Sequence, residues 1–204
     1  MAIHLHQDDV PATFAPGTAV AVDTETMGLN PHRDRLCLIQ LSTGDGDAHL
    51  VQRRDPAAPA PNLRRLLDDP GVEKLFHFAR FDVAQLQGAL GASCRPLFCT
   101  KIASRLTRTF TPKHGLKDLC FDLLGVELDK MQQSSDWGAA ELSHDQLAYA
   151  AQDVLYLHEL RRQLGTLLER EGRTSVARAC FDFLPWRARM DLDGWGEDDI
   201  FAHH

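Results

Sequence analysis

The sequence predicts an α/β domain with a mixed central sheet flanked by helices. Three observations predict it. Short apolar segments of strand length fill the first part of the chain, one strand runs directly into a helix near Phe78, and helical periodicity dominates beyond Lys101. A chain of 204 residues is an ordinary size for one such domain, so a single domain over 1–204 is expected. A domain of this size buries roughly 70% of its unfolded surface and needs no disulfide or structural metal to fold.

Thr18–Thr24 is short and rich in Ala and Val, and reads as a strand. Arg35–Thr43 reads as a second. Gly44–Asp47 turns the chain, and Ala48–Gln52 returns as a third, giving an antiparallel meander. Asp55–Pro61 carries three prolines and reads as a loop. Asn62–Asp68 is a short helix closed by Pro70, and Val72–Phe78 a fourth strand. Ala79, Val83, Leu86 and Leu90 recur at helical spacing, with Gly91 as the stop. Leu97–Thr100 is a candidate fifth strand. Helices follow over Lys101–Arg108 and Leu116–Leu124, the latter stopped by Gly125. Ser143 and Gln146 have the spacing of a capping box, with Leu142 and Leu147 placed to staple it. A long helix is expected from there to about Arg170, and another beyond Gly172 leads into the acidic stretch Asp191–Asp199.

Composition narrows the function. Hydrophobic residues make up 44% and charged residues 25%, close to globular averages, so a disordered or disulfide-rich class is excluded. The net charge of −7 argues against non-specific coating of long nucleic acid, which needs clustered Lys and Arg. Cys37, Cys94, Cys99, Cys120 and Cys180 include no C-x-x-C pair, so a zinc ribbon is not expected. Reduced thiols, the absence of a secretory pattern at the start and the absence of a long apolar run point to a cytoplasmic protein with no membrane span. His203 and His204 are given no role.

Three segments carry chemistry. On a strand, Asp23 and Glu25 project to one face. Two adjacent carboxylates repel, and a hard divalent cation such as Mg²⁺ or Mn²⁺ relieves that repulsion. Taken alone, the pair also reads as solvated acids at a strand end. Asp82 falls in the first turn of a helix, where the helix dipole favours a carboxylate whatever its role. Tyr149 and Asp153, four apart, share a helix face, while Ala151 and Val154 are free to pack on the core. Four acids converging without cations are unfavourable, whereas two metals are well housed among them.

This pattern resembles the DEDD superfamily of 3′-to-5′ exonucleases, in the subgroup with tyrosine in the third motif. Residues 23–42 resemble the first region of ribonuclease D, His77–Asp82 its second, and Ser135–Trp137 with residues 147–157 its third. The resemblance implies a ribonuclease H-like (DnaQ-like exonuclease) fold. It implies two divalent ions, Mg²⁺ or Mn²⁺, with Asp23, Glu25 and Asp153 holding the first, and Asp23 bridging to a second held by Asp82. Tyr149 would position the attacking water. Its ordinary pKa of ~10 makes it a poor base at neutral pH.

Two features depart from ribonuclease D. The chain ends where helical RNA-binding domains would follow, and Ala140-Glu141-Leu142 stands where Arg-Pro-Leu is common. The length, residues 132–137 and the ending 199–203 look most like the nano-RNase C group. That likeness implies a short RNA substrate, dinucleotides especially, possibly DNA, and a homo-oligomer with an octamer as its form.

The substrate contacts expected are Met27, Gly28 and Leu29 after the acid strand, His77 and Phe81 beside Asp82, Trp137 as a stacking face, and Lys101 as a phosphate contact. For each, a packing or solvated role stands beside the functional one. A catalytically silent domain of the same fold would have lost motif residues, and all five are present.

Overall fold

A computed structural model describes residues 2–128 and 135–203. Residues 132–134 of the segment compared with nano-RNase C, and His204, lie outside the described residues.

Among the described residues, six strands form one mixed sheet in the order β1-β4-β3-β2-β5-β6. They are β1 (Ile3–Gln7), β2 (Ala19–Thr26), β3 (Leu36–Ser42), β4 (Ala48–Gln52), β5 (Glu73–Phe76) and β6 (Leu97–Cys99). β3 runs antiparallel to both β2 and β4, the expected meander, and every other pairing is parallel. β3 is buried along its whole length, as a central strand covered on both faces must be. The fold class is therefore as the sequence predicts. β1 was not anticipated. Its residues are half-buried or exposed, it lies at the sheet edge, and its parallel partner is remote in the chain, so local pattern gives little sign of it.

The helices are α1 (Pro61–Asp68), α2 (Ala79–Leu90), α3 (Thr100–Thr107), α4 (Leu116–Leu119), α5 (His144–Leu155), α6 (Leu157–Arg170) and α7 (Thr174–Leu192). α1 opens on Pro61 and lacks a cap of its own. The Asp9 carboxylate supplies it from afar, accepting from the backbone N–H of Asn62 at 2.9 Å and of Leu63 at 2.8 Å. α4 widens into a π-turn over Cys120–Leu124 before Gly125, at φ 68°, stops it.

The single long helix expected up to Arg170 is two helices. They break at Tyr156, where φ is −102° and ψ −5°. α5 packs on β2, β3 and β4, whereas α6 packs on α3, β2 and β5, so the axis changes as the chain crosses the sheet. The apolar period continues through Val154, Leu157 and Leu160, all buried, which hides the break from the sequence. Among the described residues no helix is long and apolar enough to cross a membrane. All five cysteines are free.

The start of α5 matters because this helix carries Tyr149 and Asp153. Ser143 Oγ accepts from the Gln146 N–H at 3.2 Å, and Gln146 Oε1 accepts from the Ser143 N–H at 2.9 Å. The Gln146 amide also donates to the Asp136 carbonyl at 3.1 Å, which ties the helix start to the Ser135–Trp137 segment. Ser143→Ala is expected to cost about 1 kcal/mol of stability, read as a lower urea midpoint with an unchanged slope.

Candidate active site

β2 delivers two acids to the sheet face that α5 covers. Asp23 and Glu25 alternate with buried Thr24 and share a face, and Asp153 descends on them from α5. Asp23, Glu25 and Asp153 each offer a carboxylate oxygen, and the three oxygens lie within 4.8 Å of one another.

Asp82 reaches the group by a different route. β2 pairs with β5 only through Ala21, so the last residues of β2 have no strand on that side. The start of α2 fills the space. Asp82 is buried there, and Thr24 Oγ1 donates to its Oδ1 at 2.7 Å. Asp82 is outside the three-oxygen cluster but acts on it electrostatically, since its charge helps raise both Asp23 and Glu25.

The electrostatics follow from that crowding. Burial holds the Asp23 carboxyl well above the ordinary carboxylate range, and the charges of Asp82, Asp153 and Glu25 add to the effect. Burial pushes Glu25 up to about 8, with Asp153 and Asp82 contributing. Burial pushes Asp82 up to about 7 against the opposing hydrogen bond from Thr24, and Asp153 adds to the rise. An oxygen-only donor set that resists ionisation in this way fits a hard divalent cation, whose charge would reverse the effect.

The remaining predicted residues divide. Leu29 is 83% exposed and Met27 53% exposed just after the acid strand. Gly28 also answers to its neighbour. A Cβ there would lie 2.4 Å from Asp34 Oδ2, so the close approach its lack of a side chain permits is to Asp34. Trp137 is corrected. It is 3% exposed, and its ring packs with its centroid 6.0 Å from that of Tyr149, so it supports the tyrosine and offers no open stacking face. His77 Nδ1 is 2.9 Å from Thr100 Oγ1, which itself donates to the Phe76 carbonyl, so the ring is held at the end of β5. Phe81 is half-buried in the first turn of α2. Lys101 Nζ sits 4.2 Å from the ring centroid of Phe78, a left-handed residue at φ 68° that opens α2.

Sequence reasoning missed Thr24, whose signal was its place between the two acids. It also missed Gln40, the cross-strand neighbour of Asp23, whose side-chain amide is fully buried with neither its nitrogen nor its oxygen hydrogen-bonded.

Carboxylates raised above the unfolded value of about 4 bind more protons in the folded state, so the metal-free protein loses stability as pH rises from about 4 to about 8. Its melting temperature is expected to fall across that window. Mg²⁺ or Mn²⁺ should raise it most at the alkaline end. Asp23→Asn should raise the metal-free melting temperature at pH 8 and abolish the metal-induced shift; a variant still stabilised by metal would contradict the assignment of Asp23.

Known proteins place this geometry. Residues 8–169, which contain all four acids and Tyr149, match the family model described as 3′-5′ exonuclease. Ribonuclease D of Gluconacetobacter diazotrophicus is 38% identical over 154 residues, 76% of this chain. The chain spans 39% of that relative's length. Two solved structures, Brucella melitensis NrnC with bound Mg²⁺ and the same protein bound to pGG, are each 55% identical, cover 100% of both chains and superpose with a TM-score of 0.96. The match over most of the chain, the mixed sheet and the converging acids agree, and the chain belongs to the 3′-5′ exonuclease family.

Proposed function

We propose that this chain is a metal-dependent 3′-to-5′ exoribonuclease that hydrolyses short oligoribonucleotides, dinucleotides especially, to 5′-mononucleotides. The observation that carries the proposal is the set of three carboxylate oxygens within 4.8 Å, with Asp82 held beside them by Thr24. The full-length likeness to a protein solved with pGG supports a very short substrate. The Mg²⁺ in its other structure supports a divalent cofactor.

Asp23, Glu25 and Asp153 would hold one divalent ion, and Asp23 with Asp82 a second. Bound there, two such ions supply an activated water at neutral pH and charge neutralisation for the leaving 3′ oxygen. The chain's own groups do the positioning. Thr24 fixes the Asp82 carboxylate through its hydroxyl. Tyr149, one helical turn before Asp153 and backed by the buried Trp137, orients the water towards the scissile phosphate. Attack there displaces the 3′ oxygen of the penultimate nucleotide, which takes up a proton, and the terminal nucleotide leaves with a 5′ phosphate. A cytoplasmic homo-oligomer, an octamer in form, belongs to the same reading.

A time course in Mg²⁺ or Mn²⁺ tests it on a 5′-labelled RNA dinucleotide, a seven-nucleotide RNA, a long RNA and a duplex DNA. The dinucleotide should turn over fastest, and Asp23→Ala should cleave nothing. Equal or faster loss of the long RNA or the DNA would replace the short-RNA reading with general end trimming. Tyr149→Phe should lower kcat by about a hundredfold while Mn²⁺ affinity stays near wild type. Undiminished turnover would remove the tyrosine from the mechanism.

A further inference from the structure

The family match ends at residue 169, so α7 and the segment after it lie beyond the shared region. That segment nonetheless reaches the acid-bearing elements. Arg80, two residues before Asp82, donates from Nε and Nη2 to the two carboxylate oxygens of Asp191, each at 2.7 Å. Its Nη2 also donates to the Gly196 carbonyl at 2.8 Å. Arg187, one turn before Asp191, pairs with that carboxylate at 2.9 Å and donates to the same Gly196 carbonyl at 3.0 Å. His32 Nε2 lies 3.2 Å from the Asp191 carbonyl. A planar bidentate pair with further bonds on both sides fixes direction as well as distance. The chain from 191 to 196 is thus tied to the helix that carries Asp82 and to the turn that follows Leu29.

Between these parts lies a cavity of about 570 Å³. Leu29, Phe78 and Phe81 line it with apolar and aromatic surface, and Asp191, Gly194 and Glu197 line it from the C-terminal segment. The volume falls in the usual range for a small-ligand pocket. The cations at its edge already have partners, Arg33 with Asp34 and Arg80 with Asp191. A phosphate would find those guanidinium groups paired and two further carboxyl groups, Asp191 and Glu197, in the same lining. A nucleobase would find apolar and aromatic side chains together with polar groups for its edge.

We propose that residues 191–197 form one wall of a nucleobase pocket that Leu29 and Phe81 also line, held in place by the Arg80–Asp191 pair, so that a segment outside the shared exonuclease region helps to bind the substrate. This rests on the exonuclease reading for the identity of the ligand, but its test does not need cleavage. The affinity of an RNA dinucleotide is measured in Ca²⁺, under conditions where no cleavage is detected, and compared with dinucleotides lacking one base or the other. The wild-type protein should lose about tenfold in affinity when the base at one of the two positions is removed. Asp191→Asn and Arg80→Met should bind the intact dinucleotide about tenfold more weakly and lose nothing further on removal of that base. Glu197→Trp, at an exposed position, should fill the pocket and give the same pattern. The wall is overturned if the wild type is indifferent to both bases, or if Glu197→Trp keeps the full discrimination. It is also overturned if the clamp variants bind intact and base-free ligands equally more weakly while still discriminating between them. Base discrimination without cleavage in Mg²⁺ or Mn²⁺ would instead retain the pocket and count against the exonuclease reading.

Discussion

Carboxylates forced together against their mutual repulsion set the terms for the rest of this molecule. Asp23, Glu25 and Asp153 bring oxygens within 4.8 Å of one another, and burial adds to the cost of charging them. An arrangement of this kind costs stability in the metal-free protein. It persists because the groups sit on elements whose positions are decided elsewhere. β2 is locked between β3 and β5, and α5 is fixed by its capping box and by packing on three strands. The positions of these acids are therefore set by the packing of β2 and α5, which is what preorganisation of a metal site requires.

The fourth acid shows how the sheet makes room. β5 leaves β2 after Ala21, and the start of α2 takes its place. That exchange brings Asp82 to Thr24, whose hydroxyl satisfies one carboxylate oxygen. Thr24 points away from Asp23 and Glu25 along the strand, so a single strand serves two acids with one face and a third through the other. Phe78, held left-handed where β5 gives way to α2, marks the same corner, and Lys101 covers its ring. Backbone strain, a buried acid and a cation thus occupy the junction where the chain passes from strand to helix.

Beyond the shared exonuclease region, the C-terminal part of the chain does more than pack. α7 lies along α2, and its end returns the chain towards Arg80. The pair with Asp191 couples the last turn of α7 to the first turn of α2, so the part of the chain beyond the family match is bonded to the helix that carries Asp82.

Local chemistry made much of this legible. The apolar strand segments within Thr18–Thr24 and Arg35–Thr43, the turn at Gly44–Asp47, the stop at Gly91 and the Ser143–Gln146 box each follow from the conformational preferences of a few adjacent residues, and each has its counterpart in the structure. The pairing of two acids was legible too, because the strand period places Asp23 with Glu25 on one face, while the wider set of candidate residues rested on the resemblance to the exonuclease motifs. Tertiary structure alone decided the others. β1 exists because a distant strand accepts it, Trp137 is buried because Tyr149 and the core cover it, and the helix expected up to Arg170 breaks at Tyr156 because its two halves meet different neighbours. Gly28 answers to Asp34, Asp82 to Thr24, and Arg80 to an acid more than a hundred residues later. The division has one physical cause: periodicity and capping act within a few residues, whereas burial, pairing and the direction a side chain takes are settled by contacts between parts of the chain that the linear order keeps apart.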